Sequence, residues 1–238
     1  MREVNGNLVH PSAVIGSQVR LGRGNFVGPF TTIVGNVTIG DDNWFGPHVT
    51  IGTAAQYHGP RNEWKETGFL PIAIGSRNTL REYVTVHEAS ESETVISDDC
   101  YLMAYNHLSH DSRLESKVTL ANNVQIGGFT EIGFGCVVGL STTIHQFTTI
   151  GAFVMVGMSS VVVKDLPPFT KFAGNPARYL GINKVGLSRN GFSEGDIEKI
   201  RSAANAGDYP DEAERYVSRF RARNAQTHRP IARCDDCS

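Results

Sequence analysis

His107 and His110 stand three residues apart, and Asp111 follows directly, a grouping of side chains well suited to moving a proton. An imidazole oriented by a carboxylate serves as a general base. Gly128 lies 18 residues beyond His110, and Gln146 another 18 beyond that, with His145 beside it. If 18 residues make one turn of a solenoid, His110, Gly128 and Gln146 stack in one column of one face, about 4.8 Å apart per turn. His145 then lies roughly 10 Å up the axis from His110, and His107 lies across the adjacent corner. An imidazole, a carboxylate and an exposed glycine N–H suit acyl transfer. The imidazole takes the proton of an attacking hydroxyl, and the N–H holds the developing oxyanion. A histidine alone on an outer face is ordinarily just solvated; three in one stripe point to a site. Zinc is the competing chemistry, but His145 sits two turns from the close pair, which separates the donors.

The element that must position these residues is announced by a period of six. An aliphatic residue recurs at every sixth position from Ile96 to Val162, and an earlier run goes from Ile15 through Leu21, Val27, Ile33, Ile39 and Phe45 to Ile51. A short run reads Ile74, Leu80 and Val86. Such a period predicts a parallel β-helix of hexapeptides, in which three six-residue faces close one coil and the aliphatics form a continuous core. Glycine follows the aliphatic at Gly16, Gly22, Gly28 and Gly40, where a corner with positive φ is expected. The fourth position after the aliphatic is small or β-branched, and Cys100 and Cys136 fall there. Neither a heptad nor a 3.6-residue period fits.

The expected architecture is an all-β solenoid over residues 1–168 with a loop insertion at 52–73, then a connector and a small C-terminal helical region over 169–238. The insertion carries Gln56, Tyr57, His58, Trp64 and Lys65, and a second, shorter one separates Val86 from Ile96. Ser193 to Asp196 resembles a capping box, Gly207 fits a helix stop, and Asp211 to Arg223 reads as a second amphipathic helix.

Composition narrows the function. Residues 1–163 hold 9 Lys/Arg against 14 Asp/Glu, and residues 164–238 hold 13 against 10. The mildly basic end suits a phosphate or an acidic carrier protein, or is simply a solvated helical face. A net charge of −2 without a basic, aromatic-laced stripe argues against nucleic acid. No apolar run is long enough for a transmembrane segment and no leader is evident, so the expected location is the cytoplasm. Four cysteines make no disulfide framework, and Cys234 and Cys237 form a lone pair at the end.

Several stretches together are more specific than the repeat: Asn106-His107-Leu108-Ser109-His110-Asp111, Leu120-Ala121-Asn122-Asn123, Ile144-His145-Gln146-Phe147 and Ala152-Phe153-Val154-Met155-Val156-Gly157. Asp165-Leu166-Pro167-Pro168, Gly174-Asn175 and Asn183 to Ser193 extend the set. In these the chain resembles the UDP-N-acetylglucosamine acyltransferases of the lipid A pathway, from His10-Pro11 to the first C-terminal helix. The resemblance implies a left-handed β-helix, an exception to the usual right-handed crossover, assembled as a homotrimer with sites between subunits. It implies His110 as general base, Asp111 as its orienting partner and the Gly128 N–H as oxyanion donor. His107 and His145 would contact the nucleotide sugar or the donor, and Asn183 and Arg189 the nucleotide phosphates. Gln56, Phe129 and Gln146 would complete the substrate site. No cofactor is implied; the co-substrate is a thioester of acyl carrier protein or of CoA.

The chain also departs from that pattern. Phe129 stands where the family has a sugar-contacting His, Tyr57 and Gly59 where it has Asp and Lys, and Val185 where it has Glu. Glu88 replaces an Arg, and Asn190 a basic residue. The chemistry positions survive while several sugar-recognition positions do not. Three classes therefore stand side by side: an acyltransferase on UDP-N-acetylglucosamine or a related sugar, an N-acyl- or acetyltransferase on another nucleotide amino sugar, and a metal-binding or non-catalytic β-helix. The retained His–Asp stripe weighs against the third. Met158 occupies a position where the family's long-chain enzymes have Gly, which implies a shorter acyl chain; the alternative is interface packing.

Overall fold

The computed structural model describes residues 1–56, 69–206 and 209–232, except the side chains of 204–206. Tyr57, His58, Gly59, Trp64, Lys65, Gly207, Cys234 and Cys237 lie outside them. Three sheets, parallel except for an antiparallel pair at each end of the first, wrap one axis. Sheet 1 has 11 strands, sheet 2 has 8, running from Val14–Ile15 to Val161–Val162, and sheet 3 has 7, from Arg20–Leu21 to Thr149–Ile150. Strands pair in register with the strand one coil on, as in His107↔Gln125 and Gln125↔Thr143. The hexapeptide aliphatics are the core: Ile33, Ile51, Leu80, Leu102, Leu108 and Leu120 are all fully buried. The solenoid expectation therefore holds.

The glycines after the aliphatics are present for a different reason than expected. Positive φ falls instead on the second corner residue, which is rarely Gly: Phe30, His48, Tyr83, Tyr105, Asp111, Phe129 and Phe147 all lie between 57° and 64°. Gly22 and Gly28 allow close approach between coils. A Cβ on Gly22 would sit 2.6 Å from Gly40 O, and one on Gly28 2.9 Å from Phe45 O. The fourth-position residues close the corners from inside, as Thr31 Oγ1 donates to Gly46 O and Cys136 Sγ to Gly151 O. Burial pushes the Cys100 thiol up to about 12, which leaves it a packing group.

Sheet 1 runs past residue 168. Thr170–Ala173 pairs parallel with Met155–Val156, and Arg178–Ile182 turns back antiparallel beside it. A short helix that sequence reading left in the connector follows, α1 (Lys184–Arg189), then α2 (Glu194–Ala206) and α3 (Asp211–Thr227). Ser193 Oγ accepts from Asp196 N, which bears out the cap. Helix α3 is tied to sheet 3 by Arg219–Glu115 at 2.6 Å, Arg223–Glu131 at 3.1 Å and Asn224 Nδ2–Asp165 Oδ2 at 2.7 Å. Among the described residues no helix is long and apolar enough to cross a membrane.

Candidate active site

His110 and Asp111 form the two-residue corner between sheets 2 and 3, one residue after the strand His107–Leu108. The column foreseen on a face is thus at a corner. Phe129 N donates to His110 O and Phe147 N to Gly128 O, which stacks the turns His110-Asp111, Gly128-Phe129 and Gln146-Phe147. The His110 ring lies directly beneath Gly128, where a Cβ would meet Cε1 at 2.6 Å and Nε2 at 2.8 Å. Only glycine leaves room for the imidazole there. The ring of Phe129 meets His110 edge-on at 5.3 Å and stacks on Phe147 at 4.7 Å.

Asp111 is held by the segment after Val86. Its Oδ2 accepts from Ser90 N at 2.8 Å, Ser90 Oγ at 2.7 Å and His110 Nδ1 at 2.9 Å. Its Oδ1 accepts from Ser92 N at 2.7 Å, Ser92 Oγ at 3.1 Å and Glu91 N at 3.2 Å. Burial alone would raise this carboxyl. The bonds from Ser90, Ser92 and His110 outweigh it and hold Asp111 well below the usual carboxylate range, ionised at neutral pH. An ionised carboxylate only accepts, so the proton between the two residues sits on His110 Nδ1, and in the neutral imidazole the lone pair is on Nε2.

His107 stays on the strand rather than across a corner, and its Nδ1 pairs with Thr85 Oγ1 at 2.8 Å. Below it is His87, which sequence reading did not single out as a site residue. Its ring meets His107 edge-on at 4.8 Å, and its buried Nδ1 makes no hydrogen bond among the described residues. Burial, then the positive charge that His107 and His110 would carry, pushes His87 down to about 4. Burial and His110 also lower His107. Both imidazoles are therefore neutral at pH 7.

The remaining expected residues are spread out. His145 and Gln146 are exposed two coils above, and Arg229 reaches them from the chain's far end: its Nη1 lies 3.3 Å from His145 Nδ1 and donates to Gln146 O at 3.1 Å. Asn183 has a structural job, since its Oδ1 accepts from Gly186 N to cap α1 and its Nδ2 donates to Phe153 O at 2.9 Å. Arg189 is exposed beside Lys184, Val185 and Ser188 in a groove of about 810 Å³ between α1 and α2. Met158 stands 68% exposed on the corner between sheets 1 and 2, a different edge from His110. Gln56 is exposed at the edge of the described residues. Ser90, Ser92 and Arg229 were invisible as site residues. The gap of ten between Val86 and Ile96 marked the insertion, but not that it folds onto Asp111, and nothing local marks Arg229. Among the described residues no three His, Cys, Asp or Glu side chains are grouped to hold a metal ion.

Known proteins resemble this chain. The family model for bacterial transferase hexapeptide (six repeats) fits residues 18–53, and that for UDP N-acetylglucosamine O-acyltransferase, domain 2, fits residues 165–206. An acyl-[acyl-carrier-protein]–UDP-N-acetylglucosamine O-acyltransferase of Burkholderia thailandensis is 40% identical over 135 residues, 56% of this chain and 52% of the relative. The match thus spans about half the length of the curated relatives. LpxA from Acinetobacter baumannii superposes with a TM-score of 0.74 at 28% identity, covering 97% of this chain and 99% of that one. LpxA from Bacteroides fragilis, a UDP-N-acetylglucosamine acyltransferase, gives 0.73 at 24% identity, covering 98% and 100%, and at that identity speaks to the fold. The resemblance drawn from the motifs is thus found again in family models, relatives and structures.

Proposed function

We propose that the chain is an acyltransferase that moves an acyl group from a thioester to a hydroxyl of UDP-N-acetylglucosamine or a closely related nucleotide amino sugar. The observation that carries this reading is the His110–Asp111 pair with its ring seated against Gly128. His110 Nε2 removes the acceptor hydroxyl proton as the oxygen attacks the thioester carbonyl. The Gly128 N–H, one turn up the same column, stabilises the oxyanion. The C–S bond then breaks, and the thiolate leaves with the proton held by His110. Asp111 keeps Nδ1 protonated and stabilises the imidazolium.

The donor is an acyl thioester of acyl carrier protein, with CoA as the alternative carrier, and no cofactor takes part. The relatives' names support the carrier and the sugar. On this reading His107, Gln56 and the Phe129 ring face the sugar, His145 and Gln146 the donor, and Arg189 the nucleotide phosphates. Asn183 serves that end by shaping α1. Within one chain, Met158 and His110 occupy separate edges of the coil and Arg189 lies in the groove between α1 and α2, which supports a homotrimer whose sites lie between subunits, with Met158 of a neighbour limiting the acyl chain. The enzyme is cytoplasmic on this reading. A second reading, N-acylation of another amino sugar, draws on the apolar Phe129–Phe147 stack beside the base.

The test is thioester cleavage measured with a panel of UDP-sugars and with carrier-protein and CoA donors of graded chain length. Turnover on UDP-N-acetylglucosamine that falls by about 10²–10⁴-fold in His110→Ala supports the reading. Turnover unchanged by His110→Ala, or confined to acceptors that carry a free amine, rejects the O-transfer form. An unchanged chain-length optimum in Met158→Gly rejects the role given to Met158.

A further inference from the structure

The insertion between Val86 and Ile96 interrupts an otherwise regular coil and puts three consecutive residues, Ser90, Glu91 and Ser92, around one carboxylate. Ser90 does something more than its neighbours. Its Oγ stands 2.7 Å from Asp111 Oδ2 and 3.1 Å from His110 Nδ1, so one hydroxyl touches both members of the pair. A hydroxyl has one proton to give. The carboxylate, which only accepts, takes it, and the lone pairs of Ser90 Oγ are left facing His110 Nδ1–H. His110 Nδ1–H thus meets two acceptors, and Asp111 Oδ2 shares its charge between an imidazole and a hydroxyl. Deepening the acyl-transfer reading, we propose that Ser90 is a positioning residue for this reaction: it fixes the tautomer and tilt of His110 and moderates the strength with which Asp111 holds a proton on the imidazole.

His107 lies on the preceding strand and His87 on the coil below, and both act on His110 as like charges if protonated. The insertion itself carries Glu88, Glu91 and Glu93. The coil above supplies Gly128 and Phe129, which are uncharged. Against that background the 2.7 Å bond from Ser90 to the carboxylate, charge-assisted, outweighs the longer contact to Nδ1. Removing the hydroxyl therefore leaves Asp111 Oδ2 a stronger acceptor for His110 Nδ1–H. The backbone N–H of Ser90 still reaches Oδ2 at 2.8 Å, so the insertion stays anchored.

The experiment compares the wild type with Ser90→Ala and Ser90→Thr in kcat, KM and the pH dependence of kcat, using the best donor and acceptor from the panel above. Ser90→Ala is expected to lower kcat at neutral pH by about tenfold, the range of one hydrogen bond to a charged group, with KM within about twofold. The acid limb of the profile moves to higher pH, and Ser90→Thr restores both. An independent readout is the ¹⁵N spectrum of the His110 ring, which reports tautomer and titration without turnover. Retention of wild-type ring shifts and titration midpoint in folded Ser90→Ala overturns the proposal, as does a loss confined to KM. If His110→Ala is inactive while Ser90→Ala is unchanged in both readouts, this inference fails and the acyl-transfer reading stands. If His110→Ala is fully active, the reading beneath it fails.

Discussion

Two corners of the same coil are built from the same two-residue turn and have become different things. At the corner between sheets 1 and 2 the first positive-φ residues, Phe30, His48, Tyr83 and Tyr105, stack face to face at 4.9–5.1 Å, and Asn123, Ser141 and Ser159 follow at the same position. At the corner between sheets 2 and 3 the same position holds Asp111, Phe129 and Phe147, and the residue before it is His110, Gly128 or Gln146. The repeated turn lines up the first, a ladder of rings along part of an edge. The second required two breaks in repetition. One is a glycine that opens a socket for the imidazole beneath it. The other is an insertion that covers the carboxylate. A solenoid fixes spacing without effort; chemistry arises where the repeat is locally disobeyed.

The sharpest way to break this contrast is to give the site corner what the other corner already has. Ala104, Asn122, Leu140 and Met158 occupy the first turn position between sheets 1 and 2, so a side chain is tolerated there. At Gly128 a methyl would sit 2.6–3.1 Å from three atoms of the His110 ring. The ring must move, since the coil backbone is held by hydrogen bonds on both sides. Gly128→Ala is expected to lower kcat by about 10²-fold, the scale of a displacement near 1 Å at a reacting group, with the far-UV circular dichroism unchanged. Activity within threefold of wild type would show that the socket does not position the base.

The solenoid was legible because a period of six has few physical solutions, and Leu102, Leu108, Leu114 and Leu120 state it without interruption. The His110–Gly128–Gln146 column was legible for the same reason, by counting 18. What escaped was of two kinds. Ser90 reaches Asp111 across 21 positions through an insertion whose path no periodicity describes. Arg229 meets His145 across 84, through three helices and a returning strand. Asn183 matched a motif position, yet its side chain is committed to capping a helix that the sequence shows only as a Gly-bearing connector. Motif matching gives the position of a residue; the hydrogen bonds decide its work.

A second prediction sharpens the comparison through pH. The edge of sheet 2 that leads to the site buries His87 as a neutral imidazole, while His48, the histidine of the ladder, stacks between rings at the other corner. In the folded chain His87 titrates at about 4 instead of 6.5, because burial and its histidine neighbours disfavour the cation. Its folded value is depressed, so between these values the unfolded chain binds a proton that the folded chain refuses. Stability from this group is complete above pH 6.5 and declines as pH falls towards 4, by roughly 2–3 kcal/mol in all. His107, shifted the same way, adds to the slope. Thermal unfolding between pH 7.5 and pH 4.5 should therefore lose Tm more steeply in wild type than in His87→Gln. Parallel curves would mean that His87 is charged in the folded state or solvated within it.

The smallest effect is expected where the repeat is obeyed. Tyr83 lies between His48 and Tyr105, with ring centroids 4.9 Å away on either side and planes within 4° of parallel. It is 44% exposed, so truncation opens no cavity in the core. Its φ of +62° is as unfavourable for Ala as for Tyr, so the backbone term cancels in Tyr83→Ala. What remains is the loss of two ring contacts, about 0.5–1.5 kcal/mol each, read as a lower denaturant midpoint at unchanged slope. Turnover should stay within twofold of wild type, because the ladder is one edge of the coil and His110 is on another. A tenfold loss of activity in a folded Tyr83→Ala would mean that the two corners are not separate, and that the ladder forms a wall of the site, directly or through a neighbouring subunit.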